Sequence, residues 1–133
     1  VWARAQNLGT VARLKRAVGP LLASLPPLGL VVLEGGGPIA EVWEREAARQ
    51  GVACWRVAAE TWRERLLLPR ERRTGEDAKA AATALARRVV DWSGARRPLT
   101  ALRHDAAEAV AVGLWAALEL GWLPALPPEV SRR

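Results

Sequence analysis

Methionine, phenylalanine and tyrosine are absent from these 133 residues, cysteine and histidine occur once each, and no apolar run approaches the length of a membrane span. Each absence narrows the reading. With Cys54 alone, neither an intrachain disulfide nor a Cys-based zinc site can form, and an intracellular, cytoplasmic setting is expected. A spanning helix needs about 20 consecutive apolar residues, so no membrane partner is expected. The opening Val1-Trp2-Ala3-Arg4 lacks the charged-then-apolar layout of a secretion signal. A chain without methionine does not begin at its own start codon, so residues ahead of Val1 are expected, either removed or not represented.

What remains is a chain sized for one domain and one core, with half of its residues hydrophobic. Twenty basic residues against fourteen acidic ones give a formal charge of +6, and eighteen of the twenty are arginine. Arginine favours bidentate contact with phosphate, which makes a polyanion a reasonable partner. The cluster Arg63, Arg65, Arg70, Arg72 and Arg73 reads equally as a solvated face or as a track for nucleic acid.

The pattern along the chain alternates helix and strand. Thr10 suits the cap of a helix bearing Val11, Leu14, Val18, Leu21, Leu22 and Leu25, with Gly19-Pro20 as a kink and Pro26-Pro27 as its end. A strand over Gly29 to Glu34 follows. Gly35-Gly36-Gly37 turns the chain, and Pro38 opens a helix with Ile39, Val42, Trp43 and Ala47, stopped by Gly51. A second strand is expected over Val52 to Val57. Because one helix with short connections separates the two strands, they should be parallel neighbours.

Thr61-Trp62-Arg63-Glu64 reads as a capping box opening a helix through Leu68, broken at Pro69. A charged loop over Arg70 to Gly75 leads into a long Ala-rich helix from Gly75 to Trp92, capped by Thr74, with Ala78, Ala81, Leu85 and Val89 inward. A loop is expected over Ser93 to Arg103. A last helix runs from His104 to Leu120, and Gly121 ends it ahead of a Pro-containing tail. Trp43, Trp55 and Trp115 are expected in the core. No internal repeat or low-complexity tract is present. This order indicates an α/β fold with helices packed on a sheet.

Two acidic positions stand out from the pattern. Glu34 closes the apolar run Leu30-Val31-Val32-Leu33, and a carboxylate buried there would need a cation or donors beside it. Asp105 and Glu108 are three residues apart at the start of the last helix and share one face of it. They could hold a divalent cation, or simply favour the helix N-terminus through its dipole.

Three segments in order, Leu30-Val31-Val32-Leu33-Glu34-Gly35-Gly36, Thr74-Gly75-Glu76-Asp77-Ala78-Lys79 and Asp105-Ala106-Ala107-Glu108-Ala109-Val110-Ala111-Val112, resemble the RuvC family of Holliday-junction resolvases in the ribonuclease H-like superfamily. The resemblance spans roughly Thr10 to Leu120. It implies a mixed sheet flanked by helices over residues 1–123, with 124–133 as a C-terminal tail. In that family an acid ends the fourth strand, a Thr-Gly and Lys segment precedes a helix, and the final helix carries an acidic pair. Glu34, Lys79, Asp105 and Glu108 match those positions.

The family also opens with three antiparallel strands, the first carrying a central Asp, and uses an exposed aromatic as a wedge. The sequence has no such strand stretch, and with Phe and Tyr absent no Trp can be assigned the wedge. The chain is therefore expected to be a fragment, or to be completed by strands from another chain.

The resemblance implies phosphodiester hydrolysis in branched DNA by a homodimer using Mg²⁺, or Mn²⁺ in its place. Glu34 and Asp105 would be direct or bridging metal ligands and Glu108 a ligand to a second ion. Lys79 would hold a phosphate, and His104 would orient water or contact DNA, while Arg70, Arg72, Arg73 and Lys79 would bind the nucleic acid. On their own, Lys79 reads as a solvated helix residue, His104 as a capping or surface residue, and the three glycines as a tight turn. The competing reading is a catalytically incomplete ribonuclease H-like module that binds DNA or a protein partner. A third is a nuclease of the same superfamily with another nucleic-acid target.

Overall fold

The computed structural model describes residues 6–95 and 102–132. The loop expected over Ser93 to Arg103 lies partly outside them. The described chain is mixed α/β and 62% helical, so helix packing rather than the sheet carries most of its core. Its residues cluster into two compact units, one over Gln6–Ala59 and one from Glu60 onward.

The first unit contains α1 (Val11–Ala23), β1 (Leu30–Glu34), α2 (Gly37–Arg49) and β2 (Ala53–Val57). Thr10 caps α1 as its sequence suggests, its hydroxyl accepting the Arg13 amide at 3.2 Å, and α1 runs on through Pro20. The two strands pair in parallel, Leu30 opposite Ala53 and Glu34 opposite Val57. That outcome follows from the intervening helix, which carries the chain back to the same end of the sheet.

Gly35 stands at φ +77°, a left-handed conformation that side chains disfavour, and lets the chain leave β1 for α2. Leu14, Val18 and Leu22 of α1 meet Val42 of α2, with Val31 and Trp43 packed against them. A Cβ added at Gly19 would stand 3.0 Å from the Glu46 carboxylate, so a larger residue there would displace the end of that side chain. Arg56 of β2 grips Glu44 of α2 through two nitrogens. This guanidinium holds the Glu44 carboxyl below its ordinary range.

The second unit contains α3 (Ala59–Leu66, beginning on the last residue of the first unit), α4 (Gly75–Trp92), α5 (His104–Glu119) and α6 (Pro128–Ser131), with a 3₁₀ turn over Pro69–Glu71. Thr74 caps α4, accepting the Asp77 amide at 3.0 Å. The inward stripe of α4 is wider than expected. Ala78, Leu85 and Val89 are buried, but Ala82, Ala86 and Val90 are as well, and Ala81 is only half-buried. The stripe steps by four residues from Ala78, as 3.6 residues per turn demands. Alanines on α4 and on α5, where Ala106, Ala107, Ala111 and Ala116 are buried, leave little side-chain bulk between the two packed helices.

Several expectations need correcting. The helix expected from Thr61 to Leu68 begins two residues earlier and ends at Leu66, so Thr61 is not its cap. The residue before a proline is driven extended, as Leu68 is at ψ 153°, and the reach-back hydrogen bond belongs to Glu71, which accepts the Leu68 amide at 2.9 Å.

Among the tryptophans, Trp43 and Trp115 are half-buried and Trp55 is exposed, whereas Trp62 is fully buried. Finally, the residues of β1 before Glu34 are only half-buried and Glu34 itself is exposed, so burial imposes no need for a cation there. The stretch read as a tail contains α6, whose Val130 is fully buried and whose carbonyl accepts the Arg88 Nε–H at 2.8 Å.

Candidate functional site

Glu34 is the last residue of β1, in the first unit. Its position at the carboxyl end of a parallel strand is where side chains of α/β folds face a crevice for ligands. Lys79, His104, Asp105 and Glu108 all belong to the second unit, on α4 and α5.

The second unit brings several of these together. Thr83, one turn beyond Lys79, donates its hydroxyl proton to the Lys79 carbonyl at 2.8 Å, and its oxygen stands 3.3 Å from Nδ1 of His104. The start of α5 therefore lies against the Lys79 face of α4. Asp105 follows in the first turn of α5, exposed and with no hydrogen bond or ion pair among the described residues. Glu108 differs from it. Its Oε1 accepts from Arg63 of α3 at 2.8 Å, and the two side chains are only 15% and 20% exposed. The Arg63 guanidinium also lies over the Trp62 ring, 5.2 Å from its centroid.

The five arginines divide by partner. Arg63 is held by Glu108, Arg65 stands 3.9 Å from Glu119, and Arg72 stands 3.8 Å from Glu64. Arg70 and Arg73 have no ion pair among the described residues and line an open depression of about 520 Å³ with Glu71, Asp77, Ala80 and Ala81. Lys79 is two residues from Asp77 on α4, roughly 200° around the helix, so it does not share that depression. The basic residues expected to bind nucleic acid thus sit on different faces, and Arg72 lies near the exposed Glu64 without a hydrogen bond to it.

Arg63 and Trp62 are the residues whose importance sequence reading understates. A guanidinium beside tryptophan carries no local signal of an acid forty-five positions away. Among the described residues no group of three or more His, Cys, Asp and Glu side chains is arranged to hold a metal ion. Comparison of the chain with protein-family models, with curated proteins and with solved structures finds no match in any of the three.

Proposed function

We propose that this chain is a ribonuclease H-like, RuvC-like domain of a metal-dependent endonuclease that hydrolyses phosphodiester bonds in branched DNA, acting as a homodimer. The reading is carried by the ordered agreement of three segments with the element types the resemblance asks for. An acid ends a strand, Thr74 caps a helix that takes in Lys79 rather than following it, and the Asp105-Glu108 pair opens a later helix.

Carboxylate oxygens suit a hard cation such as Mg²⁺ or Mn²⁺, and Asp105 in the second unit and Glu34 in the first are each an exposed donor of that kind. Such a cation, when bound, activates water and stabilises the leaving oxygen. Glu108 fits less well, because its carboxylate is engaged by Arg63. The protein's own groups then bind and orient. Lys79 neutralises a phosphate oxygen, His104 positions water or a strand beside Asp105, and Arg70 and Arg73 hold the backbone through bidentate contacts.

The Arg63–Glu108 ion pair favours a second reading, a catalytically incomplete module that binds DNA or a protein partner without cutting. One pair of assays on the full-length protein separates the two. Asp105→Asn should bind a four-way junction as the parent does, since phosphate contacts are untouched, but should cleave it in Mg²⁺ about 100-fold more slowly or worse. A parent that binds without cutting selects the incomplete module. Cleavage undiminished by Asp105→Asn means the site lies elsewhere.

A further inference from the structure

The Glu108 carboxylate is committed to a cation of the protein itself, the Arg63 guanidinium. Both members of the Arg63–Glu108 pair are largely withdrawn from water, with the arginine flanked by the fully buried Trp62. Charges so placed are stable only as partners, and taking one away strands the other. A divalent ion on the same carboxylate would stand within a few ångströms of the guanidinium and be repelled by it. Asp105, one turn earlier on the same face of α5, is exposed and meets no such competitor among the described residues.

We infer that Arg63 takes the place of a second cation at the acidic end of α5, so that Glu108 is a positioning residue for Arg63 and stands outside the ligand set of any divalent ion bound there. The inference rests on the nuclease reading above and narrows it: the Asp105-Glu108 face takes one ion rather than two. It also gives Arg63 a task. A guanidinium held at Glu108, one turn from Asp105, lowers the negative charge of the face, so that a substrate phosphate meets less repulsion.

The test is Mn²⁺ binding to the full-length protein, followed by calorimetry, together with thermal unfolding. Glu108→Gln should keep Mn²⁺ affinity within about twofold of the parent, whereas Asp105→Asn should weaken it about tenfold or more. Arg63→Gln and Glu108→Gln should each lower Tm by about 5 °C, and the double variant should fall by much less than the sum, since it strands no charge. Equal loss of Mn²⁺ affinity in Glu108→Gln and Asp105→Asn, or additive Tm losses, overturns the inference. A parent that binds no Mn²⁺ sinks the nuclease reading while agreeing with this assignment, because Arg63 is then the cation that Glu108 serves.

Discussion

A single hydrogen-bond chain shows how much chemistry one residue's surroundings decide. The Thr83 hydroxyl lies 2.8 Å from the Lys79 carbonyl and 3.3 Å from Nδ1 of His104; with its one proton given to the carbonyl, a hydrogen bond to the ring requires Nδ1 to donate. Neutral His104 should therefore carry its proton on Nδ1 and leave Nε2 free to accept, which is what a residue orienting water beside Asp105 needs. His104 is the sole histidine, so its ring ¹⁵N resonances report on it without assignment by mutation. Spectra at a pH where the ring is neutral should show mainly the Nδ1–H form, and Thr83→Val should reduce that population while Thr83→Ser preserves it. A parent ring protonated mainly on Nε2 would contradict the arrangement. None of this was legible in the string His104-Asp105, because the tautomer is chosen by a residue on another helix.

Helices in this chain are delimited largely by local chemistry, and the caps show where local signals compete. Thr74 and Thr61 both read as N-caps, but only Thr74 accepts an amide, while Thr61 is an exposed residue inside α3. Thr74→Ala should cost about 1 kcal/mol in urea unfolding with an unchanged denaturant slope. Thr61→Ala should stay within about 0.5 kcal/mol of the parent. Equal losses from the two would mean that Thr61 serves as a cap after all. A Thr three residues ahead of a Glu occurs by chance inside a helix as well as at its start. Pro69 settles the other end of α3, forcing Leu68 extended, and the Leu68 amide is then taken by Glu71.

At the scale of the whole chain, a charge of +6 overstates what is available to a polyanion. Three of the five clustered arginines are near acids, and the remaining two, Arg70 and Arg73, face one open depression. For junction DNA, the slope of log affinity against log salt flattens by about 0.9 for each phosphate that a basic side chain ceases to neutralise. Arg70→Gln with Arg73→Gln should thus flatten the slope by about 2, and Arg72→Gln should change it by well under about 0.9 because Glu64 already draws on that charge. Equal flattening by Arg72→Gln alone and by either of the others would show that the acid pairings do not govern access.

Near-neighbour forces explain what could be read in advance. The Thr10 and Thr74 caps, the glycine turn after Glu34, the parallel pairing of the two strands and the span of α4 all follow from rules acting over a few residues or one short crossover. The inner face of α4 and the depth of each tryptophan did not, since burial depends on what packs opposite. Partner choice lies further still from the linear order. That Glu108 faces Arg63 across forty-five residues while Asp105, three positions away, faces no counter-charge among the described residues is settled by how α3 and α5 meet, because a charge taken out of water accepts whichever counter-charge the packing brings within reach.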